Sequence, residues 1–193
     1  MRARVPVLAG LAVVLVGTAA APDAQEHPRI GDAVSEIEQL NALRSGLAGA
    51  FGDRGVPADQ EAFQQVCRPV GMRAREIAER NGWTVQQLAA RYRNPANALD
   101  REAEHVYDMM RSDPELSGIW VRTSMQGRDG VRYFRRILVE EACLVCHGAG
   151  DDRPAFVRQN YPDDRAYDFG VGDLRGVYAV FLPTSDRADG RHE

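Results

Sequence analysis

The chain has 193 residues, 44% hydrophobic and 27% charged, with a formal net charge of −4. That is enough for one domain with a real core, or a domain plus a helical arm, and the balance is ordinary for a globular protein. All 24 basic residues are arginines. They are scattered rather than gathered into a patch, so nucleic-acid binding has no electrostatic support.

Arg2 and Arg4 precede an almost wholly apolar run over 5–16, and Thr18-Ala19-Ala20-Ala21 offers small residues to a signal peptidase. This is the form of a secretory signal peptide spanning 1–21. The apolar run is short for a spanning helix of roughly 20 residues, and no later segment is long and apolar enough to span. The expectation is export to the periplasm with no membrane span after cleavage; an uncleaved N-terminal anchor is the alternative. Three cysteines in an oxidising compartment leave one without a partner, which calls for a reason.

Residues 22–32, APDAQEHPRIG, read as a flexible linker. Over 33–51, Val34, Ile37, Leu40, Leu47 and Phe51 recur at three- and four-residue steps, predicting an amphipathic helix whose stripe is a candidate homodimer surface. Pro57-Ala58-Asp59 opens a second helix carrying Phe63, Val66, Cys67, Val70, Ala74 and Ile77, and Asn81-Gly82 stops it. Pro69 is expected to kink it. The apolar neighbours of Cys67 predict a buried thiol.

The pattern over 83–92 fits neither period, and Asn94-Pro95 breaks the chain. Asp100 can cap a helix over 101–111. Alternating runs over 119–125 and 131–139, joined through Gln126 to Gly130, predict a β-hairpin. A short helix bearing Cys143-Leu144-Val145-Cys146-His147 follows, then a loop rich in glycine and aspartate, then a strand over 177–182. The polar residues 185–193 read as a frayed tail. Helices first and an antiparallel sheet later predict an α+β fold over 33–184.

The CLVCH spacing has a chemical logic. Residues i, i+3 and i+4 of a helical turn share a face. Cys143 and Cys146 can therefore reach two vinyl groups on one edge of a haem, with the His147 imidazole beneath the iron. A zinc site needs four protein ligands, and the remaining His27, His105, His192 and Cys67 lack zinc-like spacing. A thioredoxin-type redox pair, or a plain disulfide, leaves His147 unexplained. The sequence thus implies haem c, one copy, covalently attached, and with it one-electron chemistry or ligand sensing. For the opposite face of the iron the candidates are Cys67, Met72, Met109, Met110, Met125 and His105. Ligation would explain why an unpaired Cys67 persists; a small apolar core residue is the plainer alternative.

The chain resembles the Tll0287-like family of single-haem c-type proteins. The likeness runs from about Gln39 to Pro183, through Val66-Cys67, the segment Arg93-Asn94-Pro95-Ala96-Asn97-Ala98-Leu99-Asp100, Gly130-Val131-Arg132-Tyr133, the CLVCHG segment, Tyr161-Pro162-Asp163-Asp164-Arg165-Ala166 and Gly172-Asp173-Leu174-Arg175-Gly176. Leu99 departs from the family's second proline, and Pro69 and Gly71 depart from its smoother helix. The resemblance implies a PAS-like fold with an N-terminal helical arm, His147 as proximal ligand and Cys67 opposite it. Arg93 and Arg175 are candidate partners for the haem propionates, since guanidinium pairs well with carboxylate.

A thiolate ligand stabilises ferric iron. The expected function is low-potential electron transfer or redox response with a redox partner protein. A haem-based redox or gas sensor acting through a partner protein is the alternative. An enzyme is not expected, because a ligated Cys67 would block the open face that a peroxidase needs.

Overall fold

A computed structural model describes residues 26–52 and 59–184. The signal segment 1–21, the start of the expected linker and the tail 185–193 lie outside the described residues. The elements in order are α1 (Glu26–Gly52), α2 (Gln60–Asn81), β1 (Thr84–Leu88), α3 (Arg101–Ser112), β2 (Gly118–Met125), β3 (Arg128–Leu138), α4 (Leu144–His147), α5 (Ala155–Asn160) and β4 (Leu174–Pro183). The four strands form one antiparallel sheet in the order β1-β4-β3-β2. Among the described residues, no helix is long and apolar enough to cross a membrane.

The α+β expectation holds, and the sheet explains how. Alternate residues of a strand point to opposite faces. Tyr178, Val180 and Leu182 of β4 join Tyr133 and Ile137 of β3 in a core closed by Ile37, Leu40, Val70 and Ile77 of α1 and α2. Val177 and Ala179 join Phe134 in a second core, closed by Ala103, Val106, Tyr107 and Met110 of α3. Helices on both faces make β4 apolar throughout, which is why it was readable as a strand.

Several boundaries differ from expectation. Residues 26–32, expected as linker, are the first turns of α1. Pro28 lies in the first turn, where a missing amide costs no helical bond. Arg29 further ties this end to the Asn81 carbonyl at the end of α2. The apolar stripe of α1 faces the core of its own chain: Ala33, Ile37 and Leu40 have no exposure. α2 continues unbroken through Pro69. The hairpin turns on two residues, not five: Gln126 and Gly127 have φ of 55° and 76°, and Met125 pairs with Arg128. Two consecutive positive φ values are the mark of a type I′ turn. The ambiguous 83–92 stretch supplies β1.

Asp100 caps α3 as expected, accepting from the Ala103 amide at 2.9 Å. It also receives Arg132 Nη2 at 2.7 Å and Nη1 at 2.9 Å, while Glu102 takes Nη1 at 3.2 Å. Arg132 is 3% exposed, so this group pins α3 to the centre of the sheet.

Candidate haem site

After β3 the chain leaves the sheet and turns onto the end of the α1–α2 pair. A short 3-10 turn, Glu141–Cys143, leads into α4, Leu144–His147. Arg44 and Ser45 of α1 both donate to Glu140 Oε1, at 2.7 and 2.5 Å, and fasten this segment to the helical arm. The Gly148 amide closes the turn onto the Leu144 carbonyl at 2.8 Å. A Cβ at Gly148 would lie 2.6 Å from that same oxygen, so glycine is what lets the chain end the turn directly after His147.

Beside this segment is a cleft that is open to solvent. Cys143, Cys146 and His147 form part of its wall, and Cys67 of α2 lines it as well. Phe51, Phe63, Val66, Val70 and Ile137 make much of the remainder apolar. A polar annex continues from the same space, sharing Cys67, Arg93, His147 and Arg175 and adding Tyr92, Asn94, Asn97 and Tyr161.

The expected burial of Cys67 needs correction. The residue is accessible, because its side of α2 borders the cleft rather than packing into a core. The protein around it still pushes its thiol up to about 11 by desolvation, with Arg93 and Arg175 pulling the other way. The other sixth-ligand candidates are placed elsewhere. Met72 is 58% exposed, Met110 is sealed in the α3 core, and neither these nor Met109, Met125 or His105 lines the cleft.

His147 is prepared for ligation. Its Nδ1 lies 2.7 Å from the Ala166 carbonyl oxygen, which can only accept. The proton is therefore on Nδ1, and Nε2 is left with a free lone pair. Burial, together with the Arg175 and Arg93 cations, holds the imidazole well below its usual range and keeps it neutral. The Phe169 amide donates to the His147 carbonyl at 3.0 Å and the Asp168 amide to that of Gly148 at 2.6 Å, so the loop before β4 clasps α4.

The two arginines play different parts. Arg93 Nη2 donates to the Cys146 carbonyl at 2.8 Å and its Nε reaches Asp164 at 3.4 Å. It braces the cysteine turn as well as lining the cleft. Arg175 owes its position to a β-bulge: Ile137 pairs with Gly176 and Leu138 with Leu174, so Arg175 is skipped in the register. Bulges re-aim side chains beside functional sites. Its Nη1 donates to the Arg91 carbonyl at 2.9 Å, and its buried Nε has no partner among the described residues. Burial, with Arg93 nearby, pulls its pKa down to about 10. At the next position a Cβ on Gly176 would lie 2.4 Å from the Leu88 carbonyl, so glycine lets β1 close over the bulge.

The residues present fit the group that the sequence implies. Two thiols and a neutral imidazole stand on one wall, a third thiol borders the same space, and the lining is mostly apolar. A buried guanidinium with an unsatisfied N–H borders the polar end, suited to carboxylates. Sequence reasoning missed Asp164, whose side chain has no exposure and which accepts from Arg93, Arg153 and the Ala166 amide. It falls within the family-like segment 161–166, but nothing local marks its role, because its two arginine partners come from other segments.

The family model Tll0287-like matches residues 25–183. The crystal structure of the cyanobacterial heme-protein Tll0287 is similar at a TM-score of 0.72 and 43% sequence identity, over 84% of this chain and 98% of that one. No curated protein matches the chain.

Proposed function

The chain belongs to the Tll0287-like family, and on that premise we propose that it is an exported protein with one covalently attached haem c. In this reading Cys143 and Cys146 hold the haem, His147 and Cys67 are its axial ligands, and the protein acts in low-potential electron transfer or redox response with a redox partner protein. The observation that carries the reading is that the cysteine pair, His147 and Cys67 border one largely apolar cleft.

When bound, the haem supplies one-electron chemistry at iron. The chain's own residues set the conditions. His147 presents an unprotonated Nε2 because Ala166 takes the Nδ1 proton. Cys67 must give up its proton to ligate, and the positive charge of Arg93 and Arg175 favours the thiolate. The apolar wall suits the face of a macrocycle, and the annex places Arg175 where carboxylates can be paired. Thiolate donation favours the oxidised state and so a low potential.

A second reading, a haem-based redox or gas sensor acting through a partner protein, is favoured by one feature. The empty space continues past Cys67 into the annex, along Gln87 and Tyr92, which leaves room beside the thiol for a small ligand. An enzyme is not proposed, since in this reading a ligated Cys67 would block the open face that a peroxidase needs.

A pyridine haemochrome spectrum of protein made with a c-haem maturation system tests the assignment; a spectrum without c-type character would sink it. A clearly positive midpoint in potentiometry would remove the low-potential reading. An unchanged ferrous spectrum under carbon monoxide would remove the gas sensor. Export is tested by the N-terminus of the mature protein, expected after residue 21.

A further inference from the structure

A carboxylate taken wholly out of water is costly unless it is paired and hydrogen-bonded. Asp164 is such a group: its side chain has no exposure, and it belongs to neither hydrophobic core. Its Oδ1 accepts from the Ala166 amide at 2.9 Å and from Arg93 Nε at 3.4 Å, and its Oδ2 accepts from Arg153 Nη1 at 3.1 Å. Two arms run from this carboxylate to His147. Through Ala166, the turn it fixes offers the carbonyl that takes the Nδ1 proton at 2.7 Å. Through Arg93, it steadies a guanidinium that holds the Cys146 carbonyl and lies 3.4 Å from Nδ1.

We infer that Asp164 is a positioning residue for the proximal imidazole: it fixes the rotation and tautomer of His147, and it offsets the Arg93 cation behind that ring. An asparagine would fill the same space, so packing alone does not call for the charge. What the carboxylate adds is a fixed negative centre between Arg93 and Arg153. Outer-shell partners of this kind orient a ligating histidine and raise its basicity. With the carboxylate gone, the Arg93 cation 3.4 Å from Nδ1 acts on the imidazole unopposed, and the Ala166 amide loses its anionic acceptor.

The inference rests on the haem reading only for its redox readout. The test compares Asp164→Asn and Arg153→Gln with the parent protein. Nitrogen-15 NMR of the His147 ring reads the tautomer in the haem-free full chain, where no iron fixes it: a single Nδ1-protonated form in the parent, a mixture in Asp164→Asn. Potentiometry gives the field. Removing the negative charge should raise the midpoint, whereas removing a positive one in Arg153→Gln should lower it. A purely structural role predicts no such opposition of sign. A single retained tautomer with an unchanged midpoint in Asp164→Asn would overturn the proposal. If that variant does not fold, an unchanged or raised midpoint in Arg153→Gln overturns it, and a lowered one supports it. If the parent haemochrome shows no attached haem, the functional reading fails, and the tautomer comparison alone decides the role of Asp164.

Discussion

Cys67 and His147 border one cleft, although one comes from α2 and the other from the turn after β3. Among the described residues, no methionine lines that cleft. Cys67→Ala should therefore abolish the low-spin thiolate signature in electron paramagnetic resonance and raise the midpoint potential. Met72→Ala and Met109→Ala should leave both unchanged. Persistence of the thiolate signature in Cys67→Ala would exclude Cys67 as the ligand.

Gly148 ends the cysteine turn where a Cβ would meet the Leu144 carbonyl at 2.6 Å. Gly148→Ala should open that turn, shift His147, and lower covalent haem per mole of protein several-fold. Gly46 in α1 is the control, because a Cβ there meets nothing within 4 Å. Gly46→Ala should leave haem content unchanged and stabilise the chain by about 0.5–1 kcal/mol, as alanine does within a helix. Haemochrome quantitation and urea unfolding read the two effects.

The parts legible in the sequence were local. Asp100 announces the α3 cap because a cap needs only the next three residues, and the CLVCH spacing announces its shared face for the same reason. Cys67 could be named as a candidate, but its environment was misjudged. Apolar neighbours along α2 point both to a core and to an apolar cleft, and periodicity does not separate the two. Arg175 was named as a candidate partner for a haem propionate, yet its aim comes from a register shift against β3 that only the folded sheet defines. Nothing local marks the role of Asp164, since that role arises where three loops meet.

The Asp100–Arg132 pair gives a pH prediction with a defined sign. Burial works to raise the Asp100 carboxyl, but Arg132, with the Ala103 and Glu102 amides, outweighs it and holds the group below its usual value. A carboxyl lowered in the folded state adds stability that is fully present above the unfolded value of about 3.9 and is lost as pH falls through the folded one. The pair should therefore contribute no pH dependence between pH 5 and 7 and a loss below about pH 4. Asp100→Ala should cost about 2 kcal/mol near neutrality, from the cap and from a buried Arg132 left with fewer partners. It should also flatten the acid limb. Urea midpoints measured across pH check both; an acid limb identical to the parent's would remove Asp100 as its source.

Arg175 separates stability from function. Its guanidinium is buried with Nε unpartnered among the described residues, and burial pulls its pKa down to about 10. A cation whose folded value lies below its unfolded one binds its proton less tightly when folded, so at neutral pH it costs stability. Arg175→Met keeps the length and removes the charge, and it should raise stability by about 1–2 kcal/mol, as exchange of poorly compensated buried ions for apolar residues often does. The same change removes a positive charge from the cleft, so the midpoint of the haem-bearing protein should fall. Urea unfolding and potentiometry on one variant thus carry opposite expectations. A stability loss with an unchanged midpoint would mean that Arg175 serves the bulge and the sheet edge, and that the carboxylates of the bound group are paired elsewhere.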